Sequence, residues 1–223
     1  MNNTLERTSC SGFSLVEMAI VLVIFGLIIG GLLGPVQIQL DNMDRKETDR
    51  TIEGTKEAII GFALRNDRIP CPDTSGDGQE NMTGSNCNSS RGLVPWVTLG
   101  VSQSDAWHQP FTYRVDTQFA DTTNGTGCGS IPMPSVSFEL CSIGNINVYD
   151  SSGGALVASG IPAIIVSHGK NWSTAGDTDE QENTDNDANF VDKNAVNNGY
   201  DDQVGWINVN NLTATMVSAN KLP

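Results

Sequence analysis

Glu17 makes the clearest chemical demand on its surroundings. It lies in Ser11-Gly12-Phe13-Ser14-Leu15-Val16-Glu17-Met18, near the start of an otherwise uncharged apolar run that continues to about Pro35. A charged side chain at the centre of a membrane helix costs about 2.5–3.5 kcal/mol on insertion scales, so an ionisable residue there needs a partner and marks a functional site. Removing one member of a low-dielectric charge pair strands the other and costs about 3–5 kcal/mol. The chemistry expected of Glu17 is therefore pairing with a partner that offsets its charge.

Two further groups of carboxylates have the oxygens that a hard cation such as Ca2+ requires, which takes 6–8 of them. The first is Asp73-Thr74-Ser75-Gly76-Asp77-Gly78-Gln79, which resembles the start of an EF-hand loop but has Gly84 where the distal glutamate would stand. The second is Asp177, Asp179, Glu180, Glu182, Asp185 and Asp187, followed by Asp201 and Asp202. The competing reading of both is a solvated acidic loop. Ser167 and His168 are adjacent, so on a strand they point to opposite faces and do not make a nucleophile and its base. No G-x-S-x-G, H-E-x-x-H or phosphate loop is present, and the chain reads as a non-enzyme. Trp96, Trp107, Trp172 and Trp206 read as core and sheet-edge residues.

These residues need elements to hold them. The run from Met18 to Gly34, with its flanks, is long enough to cross a bilayer as a helix. It has no A-x-A-like cleavage site of quality, so it reads as retained. Beyond Pro35, Val36, Leu40, Met43, Ile52, Ile59, Ile60, Phe62 and Ala63 recur at mostly helical spacing among charged residues, and the helix is expected to reach about Arg65, roughly 80 Å from Phe13. Glycines 26, 30, 31 and 34 followed by Pro35 predict a kink or partial melting over 30–35. Asn66-Asp67-Arg68-Ile69-Pro70-Cys71-Pro72 ends the helix. Strand-like runs follow at 111–115, 136–140, 163–166 and 204–207, separated by Gly, Asn, Asp and Ser, and predict one antiparallel sheet laid on the helix. The fold class is α+β.

Formal charge is −14, and residues 69–223 hold 17 acidic against 5 basic side chains. The five, Arg91, Arg114, Lys170, Lys193 and Lys221, are scattered, which excludes the clustered cations a nucleic-acid partner needs. Among the cysteines, Cys71, Cys87, Cys128 and Cys141 permit three pairings; the local one, Cys71 with Cys87 and Cys128 with Cys141, would staple two loops. A closed loop of about 15 residues is worth roughly 3 kcal/mol in the chain-entropy model.

Glycine followed by phenylalanine, a small polar residue, two aliphatics and glutamate resembles the cleavage and methylation signature of type IV pilins and the pseudopilins of type II secretion. In the head, Asp105-Ala106-Trp107-His108-Gln109-Pro110-Phe111-Thr112-Tyr113 resembles the D-x-W-x-x-P-x-x-Y segment of major pseudopilins. Ser167-His168-Gly169-Lys170-Asn171 and Tyr200-Asp201-Asp202-Gln203-Val204-Gly205-Trp206 look like that family's glycine turn and D-D-x-V-x-W strand.

The resemblance implies a prepilin: a leader over 1–12 that carries Cys10, a transmembrane and assembly helix over 13–35, an amphipathic helix over 36–66 and a β-rich head over 67–223. A prepilin peptidase would cut between Gly12 and Phe13 on the cytoplasmic side and methylate the new amino group of Phe13. Glu17 would then meet the methylated N-terminus of a neighbouring subunit. The implied place is the bacterial inner membrane, single-pass with the head in the periplasm, then a pilus or pseudopilus reaching as far as the cell surface. The implied partners are other pilin or pseudopilin subunits, the peptidase and an inner-membrane assembly platform. Calcium is implied at Asp177, Asp179, Asp185, Asp187, Asp201 and Asp202. The alternative is a minor tip pilin or adhesin with a calcium-binding, disulfide-stabilised head.

Overall fold

A computed structural model describes residues 12–121, 136–173, 177–195 and 199–222, with the side chains of residues 32–35 outside that description. The elements are α1 (Leu15–Asn66), β1 (Met82–Thr83), β2 (Asn86–Cys87), β3 (Arg91–Leu93), α2 (Trp96–Leu99), β4 (Thr112–Val115), α3 (Thr117–Ala120), β5 (Ile146–Tyr149), β6 (Leu156–Ile161), β7 (Ala163–Ser167), α4 (Thr178–Thr184), β8 (Asn189–Val191), β9 (Gln203–Trp206) and α5 (Val209–Ser218). A long N-terminal helix is followed by antiparallel sheets in a C-terminal head, as the α+β expectation requires. The chain divides into two units, residues 1–43 and 44–223.

In the first unit, residues 13–31 are all exposed, Phe13 and Leu15 by 80% and 87%. α1 is long and apolar enough to cross a membrane. It runs unbroken through 30–35, which corrects the expected melting there. An interior proline forfeits one hydrogen bond and crowds a carbonyl, at about 3 kcal/mol. Unwinding the stretch would release several more backbone groups from their helical partners.

In the second unit, Thr48, Ile52, Thr55, Ile59, Phe62 and Ala63 form the buried stripe of α1. Their spacing is helical, but two of the positions are threonines. Thr55 Oγ1 is satisfied by donating to Thr51 O at 2.8 Å, and Thr48 Oγ1 accepts from Ala106 N at 3.2 Å. The helix stops where Asp67 takes a left-handed conformation (φ 59°) and its N–H reaches Ala63 O at 2.8 Å. This closes the last turn before Pro70.

Among the described residues the single expected sheet is instead three: a β1–β2 hairpin, a four-stranded sheet in the order β3-β4-β7-β9, and a three-stranded sheet in the order β6-β5-β8 whose β5–β8 pair is parallel. The reason lies in β7, all five of whose residues are buried. A strand apolar on both faces needs cover on both. Tyr113, Val115, Ala163, Ile165 and Ile207 share a cluster with Ile52, Ile59 and Ala63 of α1. Ile164 and Val166, on the opposite face, pack with Ile146, Val148, Ile161 and Phe190 of the smaller sheet. The expected strands at 111–115, 163–166 and 204–207 are β4, β7 and β9. The one at 136–140 is not a strand. Its alternation is real, with Val136 and Phe138 in the core and Phe138 against Phe119 at 5.0 Å between ring centroids, but Ser137 N bonds to Asp67 O, not to a neighbouring strand.

Gly205 of β9 lies under α1, where an added Cβ would fall 2.2 Å from Ile52 Cγ2. Gly205→Ala is expected to destabilise the head by about 1–3 kcal/mol through overpacking, read as a lower denaturation midpoint; an unchanged midpoint would show that helix and sheet are not in this contact.

Candidate functional site

At the start of α1, residues 12–14 are non-helical. Ser14 N donates to Glu17 Oε2 at 2.8 Å, and Glu17 N donates to Ser14 Oγ at 3.2 Å. Ser14 O accepts from Met18 N at 3.2 Å, which makes Ser14 the N-cap. Gly12, Phe13 and Glu17 are thus close in sequence and all solvent-facing, ahead of an apolar surface that is exposed over residues 15–31.

In the head, the six carboxylates expected to hold a metal do not form one group. Asp177 and Asp179 belong to Lys193, whose Nζ lies 3.2 Å from Asp177 Oδ2, contacts Asp179 Oδ2 and stands 4.9 Å over the Tyr200 ring. Asp177 also caps α4 by accepting from Asp179 N at 3.2 Å, and that bond, with Lys193, holds its carboxyl below the usual range. Burial opposes the charge on Lys193, but the two carboxylates outweigh it and raise its pKa. An ammonium therefore already occupies this pair.

Asp185 and Asp187 lie with Glu182 in a second group. Asp185 Oδ1 accepts from Asp187 N at 2.9 Å, and Asp187 Oδ1 accepts from Asn189 N at 2.7 Å, so both shape the turn into β8. They also face Arg91 and Arg114, cross-strand neighbours in β3 and β4 that donate to Asn183 O at 2.8 Å and Asn186 O at 3.1 Å.

Asp201 and Asp202 join Glu180 in a third group, with one oxygen from each lying within 4.8 Å of the others. The three are only 8%, 4% and 1% exposed. Glu180 Oε1 accepts from Asp201 N and Asn171 Nδ2, both at 3.0 Å. Asp201 Oδ2 accepts from Lys170 N at 3.0 Å, whereas its buried Oδ1 has no hydrogen-bond partner among the described residues. Burial, reinforced by Glu180 and Asp202, pushes the Asp201 carboxyl up to about 6 against the pull of the Lys170 N–H. Asp202 Oδ2 accepts from Asn183 Nδ2 at 2.8 Å and lies 3.7 Å from His168 Nδ1. Either of the last two groups could hold a metal ion.

Sequence reasoning missed Asn183. Fully buried, it donates to Val191 O, Tyr200 Oη and Asp202 Oδ2 and accepts from Val191 N, pinning α4 to β8 and β9. A lone asparagine in a polar tract carries no signal of such a role.

The other expected groups have structural roles. Asp73 turns inward, its Oδ1 accepting from Ser75 N and Gly76 N and its Oδ2 from Gly78 N, at 2.7–2.9 Å. The EF-hand-like loop therefore coordinates its own backbone. Asp105 accepts from Trp107 N, Gln109 N and Ser167 Oγ, tying its turn to the end of β7, and Tyr113 Oη donates to Pro70 O at 3.0 Å. His168 Nε2 is 2.8 Å from Thr112 Oγ1, a hydrogen bond that ties the residue after β7 to the start of β4. Cys71 and Cys87 are joined by a disulfide. Cys141 is also disulfide-bonded, while Cys128 lies outside the described residues.

An uncovered apolar helix led by a single acid fits a membrane-anchored, single-pass protein. Residues 7–33 match the family model described as the prokaryotic N-terminal methylation motif. The chain therefore carries the signature of type IV pilins and pseudopilins, a structural family whose motif implies processing by prepilin peptidase and assembly with other pilin subunits. No curated protein and no solved structure matches the chain.

Asp116, 2% exposed and the N-cap of α3, gives a pH-dependent test of the head. Burial raises its carboxyl above the ordinary range, against N–H bonds from Gln118 and Asn145, and its Oδ2 has no hydrogen-bond partner among the described residues. The folded state thus holds the proton more tightly than the unfolded one. Stability from this group is present below the unfolded value and is lost as pH rises through the raised folded pKa. Asp116→Asn, which keeps a capping oxygen, should flatten this part of the profile and raise the midpoint at pH 7 relative to pH 4; a parallel shift at both would refute the assignment.

Proposed function

We propose that this chain is a structural subunit of a type IV pilus or type II secretion pseudopilus. It is made as a precursor with a leader over 1–12, cut by prepilin peptidase between Gly12 and Phe13 and methylated on the Phe13 amine. It is then held in the bacterial inner membrane by residues 13–35, with residues 36–66 continuing the helix and the head from 67 onward in the periplasm. Polymerisation buries the apolar helix against other copies, and Glu17 meets a neighbour's N-terminal amine as an inner-membrane platform builds the filament. The observation that carries this reading is the methylation motif itself, set at the start of an apolar helix whose residues 15–31 are exposed. Exposed apolar surface of that extent needs lipid or protein cover, and Glu17 and the N-terminal amine are opposite charges that neutralise each other between copies. The test is an intact-mass measurement of protein extracted from membranes: a chain beginning at methylated Phe13 is expected, and a chain that keeps residues 1–12 beside normally trimmed prepilins would remove the proposal.

A second, finer reading concerns the head. A tip pilin or adhesin with a calcium-binding, disulfide-stabilised head is favoured by the group at Glu180, Asp201 and Asp202, because a buried carboxylate oxygen without a partner fits a divalent cation. Asp201 Oδ1 with oxygens of Glu180 and Asp202 would hold the ion. Asp177 and Asp179, paired with Lys193, and the exposed Asp185 and Asp187 are weaker ligands for it. Calcium at about 100 times its Kd should raise the melting temperature by roughly 5–10 °C, and Asp201→Asn with Asp202→Asn should abolish the rise. No rise, or one that survives both substitutions, excludes calcium here.

A further inference from the structure

Ser14 and Glu17 form a reciprocal pair, each side chain satisfying the other's backbone N–H. This S-x-x-E arrangement is a capping box, and it meets two of the donors that a helix start otherwise leaves open. It also determines where the carboxylate goes. A glutamate side chain has three rotatable bonds before its oxygens, and on an exposed first turn it would sample many directions. Here it folds back over the helix start, where the macrodipole favours negative charge. Oε2 is held 2.8 Å from Ser14 N, while Oε1 takes no hydrogen bond among the described residues. Ser14 directly follows Phe13, so the held oxygen sits beside the residue whose nitrogen becomes an amine on processing.

We infer that Ser14 is a positioning residue for assembly: through the capping box it fixes the Glu17 carboxylate at the helix tip, one oxygen bound and the other offered to an incoming N-terminal amine of a second copy. This rests on the assembly reading above and adds a residue to it. The hydroxyl has no charge to contribute to the intersubunit pair and acts by keeping Glu17 in one orientation before the neighbour arrives.

The test compares Ser14→Ala, Ser14→Thr and Glu17→Gln in the full processed chain. One readout is amide exchange at residues 14 and 17 in detergent, which needs no polymer; the other is polymer yield from membranes. Ser14→Ala should speed exchange of both amides about fivefold or more and lower polymer yield severalfold. Ser14→Thr, which keeps the hydroxyl, should restore both. Glu17→Gln should keep the amides protected, since glutamine also completes a capping box, yet fail to polymerise because the charge is gone. Unchanged exchange in Ser14→Ala would show that no capping box forms, and faster exchange with full polymer yield would show that the box does not position Glu17; either overturns the inference. A wild-type chain that never polymerises would sink the assembly reading instead, and the exchange data would still decide the capping box.

Discussion

The head is organised by the need to bury both faces of β7. Ala163, Ile164, Ile165, Val166 and Ser167 are all inaccessible to solvent, so a single cover would leave alternate side chains in water. α1 covers one face through Ile52, Ile59 and Ala63, and the β6-β5-β8 sheet covers the other through Ile146, Val148 and Phe190. Each cover sets its own conditions. The helix approaches so closely that β9 has glycine at 205, and the smaller sheet closes with a parallel strand, β8, because the chain reaches it from α4 and not from a hairpin.

Polar groups at the margins of these layers are used to join them. Asn183 bonds to Val191, Tyr200 and Asp202, so α4, β8 and the entry of β9 are held at one buried amide. Arg91 and Arg114, neighbours across β3 and β4, reach one carbonyl in the last turn of α4 and one just after it. Two like charges side by side would be unfavourable alone, but Asp185 and Asp187 lie close enough to offset them. Much of the head's acidity is therefore engaged in its architecture, as capping groups, turn acceptors or counterions.

Which parts were legible in the sequence follows from the range of the interactions involved. The apolar span and three of the four expected strands were readable because local periodicity writes them, in 111–115, 163–166 and 204–207. The same alternation at 136–140 misled, since Val136 and Phe138 are buried by side-chain packing without any strand pairing. The division into separate sheets was not readable, because it depends on which distant segment covers which face of β7. For the acidic residues, composition revealed that they cluster but not how they divide. Lys193 captures Asp177 and Asp179 from 16 and 14 residues away, while Glu180 is drawn to Asp201 and Asp202 across a turn of chain. The Ser14–Glu17 pair, though its members are only three residues apart, was not read from the sequence, where the cost of a charge in the apolar run pointed outward from Glu17 to another molecule.

The two carboxylates of greatest functional interest, Glu17 and Asp201, answer the same physical demand in opposite ways. A carboxylate leaving water must recover its lost hydration from hydrogen bonds or from a cation. Glu17 recovers part of it within three residues, and its exposure leaves the rest available to another molecule. Asp201 is buried with one oxygen satisfied and one not, and burial raises its pKa instead. The first arrangement suits a contact made only when another copy arrives, because the isolated chain is not penalised for waiting. The second suits a ligand that stays, because without a cation or a proton the folded head retains an unmet charge in its interior.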